Sequence, residues 1–329
     1  MELSTSLSLL VEPTDQNFFL GEGHFQSMQQ CVNAGYRFFD WNACDYAVEA
    51  TRPDSTSLIR DDWRDFVKAM RHQADEFNVQ FNQAHGLIFN YFGQDECTEF
   101  LHRMEDRVMQ ACAELGVRRI IYHPVVPDGL RESQNAEGCK KANRDYISRV
   151  AERAGLLGLE IDIENMFNTR YADGTGFWRY CSYPYELADL VDSIGMDNVK
   201  ICLDVGHAHL MDEDISNTVA FYGSRLAALH IHDNEGTVDQ HVMPFCGTIE
   251  WEQLMQALAE NNYSGDFTYE IHNTRLRMPQ ELKTYKLKET VEVGQWLIGR
   301  YDHYKDYGKT SKSSAMTGGN NHDVINENK

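Results

Sequence analysis

Residues 199–210 read VKICLDVGHAHL. A short apolar run, Val199 to Leu203, releases Asp204, Gly206, His207 and His209 in quick succession. Such a run suits a strand buried on both faces. A carboxylate and an imidazole three residues apart at its C-terminal end suit a bound metal ion. The same kind of group recurs along the chain. Apolar stretches end on His85, His123, Glu164, His230 and Glu270, and the segment VDQHVMPFCGTIEW adds Asp239 and His241. Glu164 and Glu270 each interrupt an apolar run, where glutamate is uncommon without a partner. Imidazole and carboxylate together favour borderline divalent ions such as Zn2+ and Mn2+. So many ionisable groups at one packed edge are costly unless a cation or a substrate compensates them. His72, His102 and His303 sit in polar helical patterns and are expected in solvent. His232 and His272 each lie two positions beyond a candidate ligand and are expected to support it or to line a mouth.

These groups need elements that bring strand ends together. Strand-like runs are expected at residues 7–11, 36–41, 79–88, 118–123, 156–164, 199–204, 226–232 and 266–271. Helical patterns separate them at 25–34, 58–77, 96–115, 135–154, the stretch ending at 194, 215–222 and 251–261, and a last helix covers 279–304. Gly35 and Gly116 stand where two of these helices should stop. Eight strand-plus-helix units predict a (β/α)8 TIM barrel over residues 1–308. The polar exceptions fall at the C-terminal ends of the strands, which in a barrel converge on one mouth. Residues 309–329, rich in Ser, Gly and Asn, are expected to form a disordered tail.

Composition narrows the function. With 42% hydrophobic and 25% charged residues, the chain reads as globular. It carries 30 basic against 51 acidic residues, a net charge of −21, and no long basic run. A duplex binder gains most of its affinity by neutralising phosphates, so a small substrate is favoured over nucleic acid. No apolar run is long enough to span a membrane. The first residues lack the basic region and apolar core of a signal peptide. Eight scattered cysteines form no CxxC pair, and Cys112 and Cys202 lie among apolar neighbours, so a reduced, cytoplasmic protein is expected.

The segments ALHIHDN, the DxH of Asp239 and His241 with PFCGTIEW, CLDVGHAH and EIDIENM resemble the xylose isomerase-like superfamily of barrels. That superfamily holds sugar and sugar-phosphate isomerases and epimerases, inosose dehydratases and endonuclease IV-type repair enzymes. The resemblance runs in order and spacing over about residues 5–300. It implies that Glu164, Asp204, His230 and Glu270 hold a catalytic divalent ion (Mn2+, Zn2+, Mg2+ or Co2+). It also implies that the two glutamates exchange the substrate proton and that His207 contacts the substrate or a second metal. The endonuclease branch holds three zinc ions with nine ligands, and each has a counterpart here: these four together with His85, His123, His207, Asp239 and His241. The acidic charge balance counts against that branch. The loops after strands two and five carry Trp41, Asp45, Tyr46, Phe177, Trp178 and Tyr180 with few basic groups. Aromatic walls beside carboxylates and imidazoles suit a sugar. His85, His123, His241, Trp41 and Trp178 are therefore the expected substrate contacts, and Glu164, Glu270 and His207 the catalytic groups.

The implied chemistry is proton transfer next to a carbonyl through a metal-stabilised enediolate. Return of the proton to the opposite face epimerises; return to the next carbon isomerises. Loss of a leaving group would make the same site a lyase or dehydratase. The alternatives are a trinuclear zinc phosphodiesterase acting on abasic DNA and a barrel in which the metal is only structural. The identity of the sugar, its phosphorylation and any homo-oligomer stay open.

Overall fold

Eight parallel strands alternate with helices in the computed structural model, which describes residues 1–10, 22–46, 58–170, 176–275 and 278–317. The strands are β1 (Leu3–Ser6), β2 (Phe38–Asn42), β3 (Gln80–His85), β4 (Arg119–Tyr122), β5 (Glu160–Glu164), β6 (Val199–Asp204), β7 (Leu226–His230) and β8 (Phe267–Tyr269). They lie side by side in the order 8-1-2-3-4-5-6-7. A parallel bridge between Ile231 and Tyr269 brings β7 onto β8 and nearly closes the cylinder. This is the (β/α)8 barrel that the alternation of runs predicts. The helices are α1 (Glu22–Ala34), α2 (Trp63–Glu76), α3 (Glu96–Leu115), α4 (Ala136–Leu156), α5 (Pro184–Ile194), α6 (Val205–Leu210), α7 (Ile215–Tyr222), α8 (Trp251–Glu260) and α9 (Gln280–Thr317).

Local chemistry sets several helix ends. Asp95 accepts a hydrogen bond from the Thr98 amide (2.7 Å) at the start of α3, and Asn135 accepts one from Gly138 (2.9 Å) at the start of α4. Each such cap contributes ~1 kcal/mol. Gly116 ends α3 with φ of 79°, a left-handed conformation that costs glycine little.

The period of two along each strand divides the side chains between two environments. Ile120, Ile161, Ile163, Ile201, Leu203 and Leu229 are buried among the outer helices. The opposite face points into the barrel and is largely polar. Ser4 donates to Asn82 (2.8 Å), Asn82 to Thr268 (3.3 Å) and Thr268 to Gln83 (3.2 Å). Arg119 pairs with Asp162 at 3.2 Å. A small apolar set, Ile121, Cys202 and Ala228, forms a separate buried cluster.

Two expectations need correction, at the first strand and the last helix, and two further local features accompany them. The first strand is Leu3–Ser6, not 7–11; Leu7–Leu10 is a 3-10 turn, and Val11 lies outside the described residues. The loop at 165–182 contains a small antiparallel pairing of Thr169–Arg170 with Gly176–Phe177. The short helix α6 directly follows β6, capped by Asp204. The last helix passes 304 and runs to Thr317, so residues 309–317 are helical and not tail; 318–329 lie outside the described residues.

Candidate active site and cation centre

The last inward-facing residue of each of several strands supplies the site. Glu164 ends β5, Asp204 ends β6, His230 ends β7 and Glu270 follows β8. One ligand atom from each of the four lies within 4.8 Å of every other. His230 Nδ1 is 3.1 Å from Glu164 Oε2 and 3.5 Å from Glu270 Oε2. Both ring nitrogens of His230 are buried without a hydrogen-bond partner among the described residues. Three carboxylates and an imidazole are a donor set suited to a divalent cation such as Mn2+, Co2+, Mg2+ or Zn2+. The residues therefore fit the ion that the resemblance implies.

Electrostatics follow from this crowding. Burial pushes the Glu164 and Glu270 carboxyls up, but the neighbouring imidazoles, His230 foremost, outweigh it and hold both well below the usual carboxylate range. Burial and the His123 ring together lower the His85 imidazole. His85 Nε2 lies 3.2 Å from His123 Nε2, which lies 3.1 Å from Glu164 Oε2.

A second group of ligand type adjoins the first. His207, His232, Asp239 and His241 also bring one ligand atom each within 4.8 Å. His207 Nδ1 contacts the Asn165 carbonyl oxygen (2.8 Å), and His241 Nδ1 contacts that of Glu270 (2.8 Å). With the Nδ1 proton donated to those carbonyls, both rings turn Nε2 toward Asp239, at 3.6 and 3.0 Å. Such backbone contacts fix ring orientation. Against the cost of burial, Asp204 and Asp239 raise His207 to about 10, and Asp239 and Glu270 raise His241 to about 9.

The loop after β7 is pinned so that it can deliver Asp239 and His241. Asp233, wholly buried, accepts from the Asn234 and Ile249 amides (2.9 and 3.2 Å) and from Trp251 Nε1 (3.0 Å). Asn234 donates to the Gly206 carbonyl (3.0 Å), which ties the loop to α6. His241 itself has φ of 45°, an uncommon conformation for a non-glycine residue and a frequent mark of functional strain.

Above this floor lies a cavity of roughly 580 Å³. Glu164, Glu270, His207, Asp239, His241, His85, His123 and His272 line it, whereas Asp204 and His230 lie beneath it. Of the residues expected to contact substrate, His85, His123 and His241 line this cavity. Trp41 and Trp178 do not. Trp41 follows inward-facing Asp40, so the strand's alternation turns it outward, and it is fully buried in the core. Trp178 packs against the same core rather than the cavity. Asp45 pairs with His24 (3.4 Å), and Tyr180 is buried. Phe177 does line the cavity. Sequence reasoning missed Phe167, Arg131 and Arg179, which also line it. The Arg131 guanidinium lies 3.7 Å over the Phe177 ring, and that of Arg179 lies 4.6 Å over Phe167. Phe167 in turn contacts the His207 ring, 4.7 Å between centres. The loop after β5, expected to hold few basic groups, thus places Arg179 at the wall, and the loop after β4 adds Arg131. Of the two residues expected to support it, His232 is wholly buried between Asp204 (3.0 Å) and Asp239 (3.6 Å), and His272 reaches Glu270 (3.5 Å) from the wall.

A barrel with ionisable groups from β3 to β8 meeting at the C-terminal rim is the usual architecture of an active site on this scaffold. The chain belongs to the xylose isomerase-like TIM barrel family, whose pattern matches residues 28–292. An inosose isomerase from Bacillus velezensis is 22% identical over 278 residues, 82% of this chain and 90% of that protein. A D-tagatose 3-epimerase-like protein has a similar structure, with a TM-score of 0.64 and 20% identity over 91% of this chain and 100% of its own. An L-ribulose 3-epimerase gives a TM-score of 0.66 at 12% identity, covering 98% of this chain and 99% of its own. At these identities the structural likeness speaks for the fold. No helix among the described residues is long and apolar enough to cross a membrane.

Proposed function

We propose that this protein is a divalent-cation-dependent sugar isomerase or epimerase that moves a proton next to a carbonyl. One observation carries the reading: Glu164, Asp204, His230 and Glu270 converge within 4.8 Å at the base of a cavity. The family and its sugar-isomerising relatives support it. A divalent ion bound there would supply a Lewis acid for the substrate oxygens and stabilise the charge that develops as the proton leaves.

The protein's own groups divide the remaining work. Asp204 and His230 lie under the cavity floor and serve as holding groups. Glu164 and Glu270 both hold the ion and face the cavity, so one removes the substrate proton and the other returns one. Both carboxylates reach the cavity from different strands of the rim, so either can begin as the base. His207, with its raised pKa, can donate a proton to a substrate oxygen. His85, His123 and His241 offer hydrogen bonds to hydroxyls, and Phe177 and Phe167 cover apolar sugar faces.

The test is to incubate the Mn2+- or Co2+-loaded protein with ketopentoses, ketohexoses, their phosphates and inososes, following products by NMR. Conversion of at least one to an isomer or epimer is expected. Failure with all of them contradicts the reading, and a dehydrated product in place of an isomer reassigns the site to elimination.

A further inference from the structure

We propose that Asp40 is a positioning residue for the cation centre, acting through His230. It rests on reading Glu164, Asp204, His230 and Glu270 as one cation set. Asp40 lies on β2, faces into the barrel and is wholly buried. Its Oδ2 lies 3.6 Å from His230 Nε2. The other nitrogen of the same ring, Nδ1, faces Glu164 and Glu270 at 3.1 and 3.5 Å. His230 therefore stands between the cation set above and a carboxylate below, one nitrogen turned to each.

That arrangement has a chemical consequence. A nitrogen that binds a cation must be unprotonated, which leaves the ring's proton on the other nitrogen. A carboxylate facing that N–H fixes the tautomer, holds the ring orientation and makes the ligating nitrogen a better donor. At 3.6 Å the contact is an ion-pair separation, longer than a good hydrogen bond.

A purely structural role explains Asp40 poorly. Gln83 Nε2 donates to Oδ2 at 3.4 Å, and Gln83 is held in turn by Thr268 (3.2 Å). Oδ1 has no hydrogen-bond partner among the described residues. Among those residues no Lys or Arg pairs with Asp40, and His230 is its one ion-pair partner. An amide side chain would satisfy Gln83 as well without burying a charge. The carboxylate is thus costly to the fold by itself and useful when His230 must present Nδ1.

The experiment uses the full chain, stripped of metal and titrated with Co2+ while visible absorption is recorded. Asp40→Asn is expected to bind Co2+ about 10–100-fold more weakly than wild type, with an altered Co2+ band, while the melting temperature of the cation-free protein holds or rises. A structural role moves the other way: a lower cation-free melting temperature with Co2+ affinity within twofold of wild type, which overturns the proposal. Long-range 1H–15N NMR of the Zn2+-loaded wild type supplies a second reading that needs no variant. His230 is expected as the Nε2–H tautomer, and an Nδ1–H tautomer overturns the proposal even if Asp40→Asn does not fold. Absence of Co2+ uptake by the wild type removes the cation set and this role together. Equal uptake by wild type and variant removes the role of Asp40 alone.

Discussion

Gly206 and His232 touch so closely that a Cβ on the glycine would overlap the imidazole ring. His232 cannot retreat easily: it is wholly buried, with Nε2 held 3.0 Å from Asp204. Gly206→Ala is therefore expected to destabilise the fold by about 1–3 kcal/mol and to shift Asp204. Denaturant unfolding measures the first effect and Co2+ titration the second. Wild-type values for both would mean that the His232 ring has room to move.

Glu164→Gln and Glu270→Gln keep side-chain shape and remove the carboxylate that can carry a proton. Each is expected to lower kcat by about 10²–10⁴-fold, the usual size of a general acid–base contribution. Circular dichroism should stay unchanged. Wild-type-like turnover in either purified variant removes that residue from the proton-transfer role.

Phe177 works at a distance from the floor. It lines the cavity and carries the Arg131 guanidinium on its ring. Phe177→Ala should raise KM several-fold and leave kcat within about threefold, because a contact made equally in ground and transition states affects binding more than turnover. A loss confined to kcat would instead place Phe177 against the reacting atoms.

Asp162 gives the protein a pH-dependent stability. Burial in the barrel pushes its carboxyl up to about 7, with Arg119 at 3.2 Å pulling the other way. The unfolded value is about 3.9, so between the two the folded state holds a proton that the unfolded chain has released. The stability contributed by this group is full below about pH 4 and is lost as pH rises toward about 7. Urea unfolding in the presence of a chelator should show a decline across that window that Asp162→Asn flattens. An identical slope in the variant would assign the decline to other groups.

Much of the site was legible because its groups break a pattern. Glu164 and Glu270 stand out in apolar strands, and the barrel gathers both with Asp204, His207 and His230 at one rim. By the same signal Asp40 in YRFFDW could have been noticed, since it too is an acid inside an apolar run. The first strand escapes an apolar pattern because its inward face is polar: Ser4 and Ser6 bond to Asn82 and Asn42, while the apolar residues that follow sit in a buried turn. Trp41 suits a sugar platform by type, but the strand's alternation decides which side it faces. Arg131, Phe167 and Arg179 come from loops after β4 and β5, and nothing local in the chain says that those loops lean over one cavity. The final helix outran its apolar pattern because extending a seated helix adds a hydrogen bond per residue, whereas starting one is the costly step.

Proton transfer beside a substrate carbonyl is the step that the rim of β5–β8 is assigned. Exchange with solvent deuterium measures that step without waiting for net conversion. A ketose that the cation-loaded protein accepts is incubated in D2O, and the carbon next to its carbonyl is followed by NMR. Deuterium is expected to enter at that carbon with wild type and to be slowed at least 100-fold in Glu164→Gln or Glu270→Gln. Conversion of the sugar with no deuterium entering, or equal entry with both glutamates replaced, would contradict the account.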